Sequence, residues 1–134
     1  MGKQGLIDIL NELLIPIGFK RKGNYWLLNG NIITKMVNLQ KSQFSDRFYI
    51  NYGYILQELP LNNLSMHIFK GLGSVDVAEN NRIKELLALE NNISDEIRTI
   101  ELKQFISDKL ISNIQDIKTK EDLSRDLKKR THLN

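Results

Sequence analysis

The sequence predicts a single α+β domain over residues 1–134, with an N-terminal helix, an antiparallel sheet of four to five strands, and two C-terminal helices packed on one sheet face. Three observations carry this. Apolar residues recur at helical spacing near the start. Two-residue alternation rich in Tyr, Ile and Phe takes over between residues 19 and 55. A capped helical run returns after residue 94.

The first element runs from residue 3 to about 15. Leu6, Ile9, Leu10, Leu13 and Ile17 follow i, i+3, i+4, i+7 spacing, with Asp8, Asn11 and Glu12 on the other side. Pro16 stops it, because the residue before a proline is pushed out of the helical region. Asn24–Leu28 and Ile32–Lys41 then read as strands joined at Asn29–Gly30, a strong hairpin signal. Phe48–Ile55 is a third strand, returning antiparallel after a loop at Gln43–Asp46.

Alternation sorts the side chains of these strands. Ile33, Val37 and Leu39 share an apolar face with Phe48, Ile50 and Tyr52; Lys35 is the misfit on it. Thr34, Asn38 and Gln40 fall on the other face with Tyr49, Asn51 and Gly53. One face is therefore expected under helices and the other rich in carboxamides and wet, as antiparallel sheets allow.

Met66–Leu72 is a further strand candidate, ended by Gly71 and Gly73. Arg82–Leu89 is ambiguous: Lys84, Glu85, Leu86, Leu87 and Ala88 are good helix formers, but the run is short and lies between Asn pairs. Ser94 is placed to cap a helix reaching about Ile114, with Asp95 and Glu96 favoured in its first turn. On an unbroken α-helix its apolar residues split in two. Ile93, Ile97, Ile100, Ile111 and Ile114 lie on one side; Leu102, Phe105, Ile106 and Leu110 lie nearly opposite, which predicts cover on both sides. Thr119 and Asp122 resemble a capping pair for a last helix, in which Leu123 and Leu127 are apolar.

Composition narrows the function classes. At 134 residues, 41% hydrophobic and 26% charged, the chain has the make-up of a globular domain. Area scaling puts roughly two-thirds of the unfolded surface out of water on folding. With no cysteine there is neither a disulfide nor a thiolate metal site. No stretch nears the ~18 apolar residues of a membrane span. The opening MGKQGLIDIL lacks the features of a secretory signal, and Leu6 breaks the myristoylation pattern, so a cytoplasmic protein is expected. The net charge of +3 is dispersed: residues 1–78 are net +3, residues 79–117 net −3 and residues 118–134 net +3. Nucleic-acid binding is expected to concentrate basic charge instead.

The run Ile17-Gly18-Phe19-Lys20-Arg21-Lys22-Gly23-Asn24, then Leu39-Gln40-Lys41-Ser42, then Phe48-Tyr49-Ile50-Asn51-Tyr52-Gly53, resembles the bacterial domain-of-unknown-function 4304 family. The resemblance covers residues 10–55 well and the rest loosely. It implies a compact α+β domain with an antiparallel sheet, and favours strand over helix for Ile83–Leu89, although that stretch lacks the Trp pair usual there. It carries no catalytic residues. By analogy, small bacterial domains of this sort often belong to toxin–immunity loci.

Candidate chemistry is sparse. His67 and His132 are the only histidines, and with no Cys a nucleophile–base–acid set is not indicated. No metal-ligand spacing occurs, and Asp95–Glu96 is better read as helix capping than as a ligand pair. Gly71-Leu72-Gly73 is too short for a phosphate loop and reads as a turn. Lys128-Lys129-Arg130 complements the carbonyl end of the last helix. No metal or cofactor is expected.

Two surfaces remain. Lys20, Arg21 and Lys22, with Tyr25, Trp26, Lys41, Phe44, Arg47 and Tyr49, could hold single-stranded RNA by stacking and phosphate contacts, although the FYINYG stretch departs from the usual RNA-binding order. The carboxamide-rich face offers the other. Asn38, Gln40, Asn51 and Tyr49 present donors and acceptors without charge, Gly53 admits a close backbone, and Trp26 and Lys41 flank them. The bland alternative for this face is a solvated surface that supports the fold. The expected function is a non-enzymatic protein-binding domain, monomer or homodimer: an immunity protein that occludes a cognate protein toxin. The alternatives are a small RNA-binding domain and an uncharacterised enzyme.

Overall fold

A computed structural model describes residues 1–57 and 68–125 of the chain. His67, Leu127, His132 and the Lys128-Lys129-Arg130 run lie outside the described residues, as does the first part of the Met66–Leu72 strand candidate. The order of elements is helix, five strands, helices. Helix α1 (Lys3–Leu14) gives way to a 3₁₀ turn at Ile15–Ile17 that holds Pro16. Gly18 then takes φ +105°, a left-handed conformation that ends the helical path, with its N–H bonded to the Ile15 carbonyl at 3.0 Å.

The sheet is a meander in the order β1 (Lys20–Lys22), β2 (Tyr25–Leu28), β3 (Ile33–Lys41), β4 (Phe48–Leu56), β5 (Ile68–Gly71), all neighbours antiparallel. The basic run is thus itself an edge strand, which sequence reasoning missed. Its turn is Gly23–Asn24, with Gly23 at φ +63°. That is the tight hairpin of the sheet. Asn29–Gly30 instead belongs to a wider loop in which Gly30 does not adopt positive φ.

The β3–β4 register pairs Val37 with Tyr52, Leu39 with Ile50, Asn38 with Asn51 and Gln40 with Tyr49. The alternation read from the sequence is therefore correct. The apolar face, joined by Trp26, Tyr54 and Ile68, packs on Leu6, Ile9, Leu10 and Leu14 of α1 and on the C-terminal helices. Among the described residues, the side-chain hydrogen bonds that tie helix to sheet lie on this face. Trp26 Nε1 donates to Asn11 Oδ1 at 2.8 Å, Tyr52 Oη to the Lys109 carbonyl at 3.5 Å, and Asn113 Nδ2 to Tyr52 Oη at 3.2 Å.

Residues 77–87 form helix α2 (Val77–Leu87), not the strand the resemblance favoured. Asp76 caps it by accepting from the Glu79 N–H at 2.9 Å. Ala88 alone bridges to the sheet, at Arg47. Ser94 caps α3 (Asp95–Phe105) as expected.

The two-sided helix does not materialise. After α3 the chain makes a π-turn (Ile106–Ile111) and continues as α4 (Ser112–Asp116). On an unbroken α-helix Ile114 would sit about 120° around from Leu102. The wider turn absorbs about one residue and returns Ile114 to within roughly 20° of it. Leu102, Ile106, Leu110 and Ile114 then form one buried stripe, leaving Ile97 and Ile100 exposed. Thr119 and Asp122 cap a helical turn over 120–125 reciprocally, at 3.1 Å each way.

Arg98 is 2% exposed. Its guanidinium donates to the carbonyls of Leu86, Ala88 (3.5 Å) and Asn91 (2.9 Å), where α2 ends. Burial pushes its pKa down, Asp95 and Glu90 oppose this, and Arg82 adds to it. Nearer the surface, Arg82 forks onto Glu101 of α3 (2.9 and 2.7 Å) and reaches Glu85 (3.2 Å).

The hydrogen bonds from Arg82 hold the Glu101 carboxyl below its ordinary pKa. A depressed carboxyl pKa contributes stability above the unfolded value and loses it as pH falls through the folded one. Arg82→Met should therefore cost less than about 1 kcal/mol at neutral pH, since the pair is partly solvated. The difference from wild type should vanish in acid, below the carboxylate range, as read by urea midpoints at the two pH values.

Candidate functional site

The second sheet face carries Tyr25 and Leu27 from β2, Thr34, Met36, Asn38 and Gln40 from β3, Tyr49, Asn51 and Gly53 from β4, and Phe69 from β5. Two rows cross it. Lys22, Tyr25, Asn38, Asn51 and Gly71 form one, and Lys20, Leu27, Met36, Gly53 and Phe69 the other. Tyr49 is 44% exposed and Phe69 48%. Between Tyr25 and Phe69 lies a shallow depression of about 530 Å³, also lined by Asn24, Asn38, Leu39, Gln40 and Lys41.

The carboxamides meet, as the alternation implied, but much of their capacity is spent on one another. Asn51, only 5% exposed, donates through Nδ2 to Asn38 Oδ1 at 3.2 Å and to Gln40 Oε1 at 3.0 Å. Asn38 Nδ2 donates to the Asn24 carbonyl at 3.4 Å. A buried amide satisfied in this way stiffens the surface above it. Asn51 is thus a scaffold for Gln40 and Asn38, and not itself an outward group. Among the described residues the Gln40 amide nitrogen and the Tyr49 hydroxyl make no hydrogen bond, so their donors are unspent.

Four of the expected site residues are placed otherwise. Trp26 is fully buried on the helix-covered face, where its ring is core and its N–H is held by Asn11. Its ring is therefore absent from the open face. Arg21 follows it to that face, 5.9 Å from the Trp26 ring centroid, and donates through Nε to the Gly23 carbonyl at 2.8 Å. The three-cation patch is therefore split, with Lys20 and Lys22 alone on the open face. Lys41 also projects to the covered side by register, opposite Phe48, and its ammonium lies 3.8 Å from Asp46. Gly53 is buried and paired on both sides, to Met36 and Phe69, so its backbone is not available to a visitor.

Phe69 was missed. Its signal was the alternation within Met66–Leu72, which puts it out of phase with Ile68. Gly71 ends β5, paired with Asn51, and Gly73 lies against Asn80 of α2, where a Cβ would meet Oδ1 at 2.8 Å. Asp95 and Glu96 sit in the first turn of α3. Among the described residues no group of three or more His, Cys, Asp or Glu could hold a metal ion, and no helix is long and apolar enough to cross a membrane.

The family model described as "Domain of unknown function (DUF4304)" matches residues 10–118. No curated protein and no solved structure matches the chain.

Proposed function

We propose that this chain, which belongs to the DUF4304 family, is a non-enzymatic protein-binding domain that engages its partner through the open sheet face. The observation that supports the reading is the face itself. Exposed Tyr49 and Phe69 flank amides that an internal network holds in fixed positions. Aromatic anchors around pre-organised polar groups are what interface hot spots are made of. Lys20 and Lys22 at one margin favour a partner with acidic groups at its rim. In its specific form the proposal is an immunity protein that occludes a cognate toxin over about 1,600 Å² of total interface.

Co-expression with candidate toxins from the same genome tests this. The wild-type chain should restore growth. Tyr49→Arg combined with Phe69→Ala should abolish protection and weaken binding by about 30-fold or more, with the melting temperature unchanged. No protection by the wild type, or equal protection by the double variant, would overturn the proposal.

One observation favours a second reading. Lys20 and Lys22 share the face with Tyr25, Tyr49 and Phe69, cations beside stacking surfaces as single-stranded RNA requires. Binding of that kind should fall steeply with salt and on Lys20→Gln/Lys22→Gln, whereas the protein interface should respond chiefly to the aromatic pair.

A further inference from the structure

Lys35 is the residue the core does not account for. Its register, opposite Leu28 and Tyr54, puts it on the helix-covered face. Among the described residues its ammonium makes no hydrogen bond and no ion pair. A half-buried cation held in this way is costly unless something else meets it.

A depression of about 460 Å³ opens beside it, within the range of small-molecule sites. Leu28, Ile32, Ile33 and Ile117 supply apolar walls, the loop 29–31 contributes to the lining, and Lys35 and Lys118 are the charged lining residues; among the described residues no carboxylate lines it. Burial and the neighbouring Lys118 both push the Lys35 pKa down, and Asp122 opposes them. That carboxylate is already engaged. It accepts from the backbone N–H groups of Lys118 (2.9 Å) and Thr119 (3.1 Å) and from the Arg125 guanidinium.

We propose that this depression is a binding site for a small aliphatic carboxylate, its anionic head between Lys35 and Lys118 and its hydrocarbon along Leu28, Ile32, Ile33 and Ile117. The two charges select the head, because an anion there neutralises cations that otherwise repel each other. The four aliphatic side chains select the body, since covering them removes apolar surface from water. The site lies on the other side of the sheet from the docking face and does not depend on it.

Sodium octanoate titrated into the isotope-labelled full chain, followed by amide NMR shifts, tests the proposal. Saturable shifts should be confined to residues 28–35 and 117–118. Octanol, which has the same tail without the charge, should bind at least about tenfold more weakly, a difference of about 1.4 kcal/mol.

Lys35→Met should weaken octanoate at least as much. It should melt at or above the wild-type temperature, because it keeps the stem and removes the desolvated charge. Lys118→Gln, at an exposed position, should weaken binding with no change in folding. Tyr49→Arg should leave octanoate binding as it was. Equal affinity in Lys35→Met and wild type, shifts centred elsewhere, or no saturable response up to about 10 mM octanoate would each overturn the assignment.

Discussion

Arg98→Ala is expected to lower the unfolding free energy by about 3–5 kcal/mol. The substitution removes the donor for three carbonyls where α2 ends and the chain turns towards α3. A buried acceptor left without its donor costs about 1–3 kcal/mol. The lost cation also complemented the negative end of α2. Domains of this size have only about 5–15 kcal/mol in hand, so the variant should populate unfolded states under mild conditions. Arg98→Lys should recover only part of the loss, because one ammonium cannot reproduce a planar fork that reaches carbonyls of residues 86, 88 and 91. Urea unfolding followed by circular dichroism reads all three proteins. A loss below about 1 kcal/mol for Arg98→Ala would show that the carbonyls find other partners.

Trp26→Ala should cost a similar amount, about 3–5 kcal/mol, from the cavity left by a fully buried indole. Asn11 loses its donor and Arg21 its stacking surface in the same step. Trp26→Phe keeps most of the burial and should cost about 1–2 kcal/mol. These figures also separate two roles for the residue. If the ring is core, Trp26→Phe retains partner binding at temperatures where it is folded. An interface anchor would lose binding at unchanged stability. The chain has a single tryptophan, so fluorescence of the native protein should be blue-shifted and insensitive to ligands on the open face.

Much of the architecture was legible because β3 and β4 are nine residues each and alternate over most of that length, Lys35 and Met36 being departures in β3, and a period of two admits one assignment of faces. The caps at Ser94 and Thr119 were legible for a similar reason, since a hydroxyl before an acidic first turn has few other uses. Short elements carried less. β1 has three residues, all exposed and all basic, and shows no alternation between apolar and polar. Its Gly23–Asn24 turn was the available signal, and Asn29–Gly30 outweighed it. For α2 the local preference of Lys84–Ala88 was the better guide than resemblance.

The site was half legible. Alternation brought Asn38, Gln40, Tyr49 and Asn51 together, but it could not say which amide would be buried as the hub. Nor could it place Trp26, whose side of the sheet depends on the β2–β3 register. The burial of Arg98 has no local signature at all, because its acceptors come from residues 7 to 12 positions away.

The wide turn at Ile106–Ile111 has a consequence for how this chain can change length over evolutionary time. Elsewhere along α3 a single-codon deletion would rotate everything downstream by about a quarter of a circle and carry Ile114 out of the interior. Within the π-turn the same deletion restores the ordinary pitch and leaves Ile114 facing inward. Homologues one residue shorter at this point can therefore keep the same packing, with the shortened turn as the sole trace.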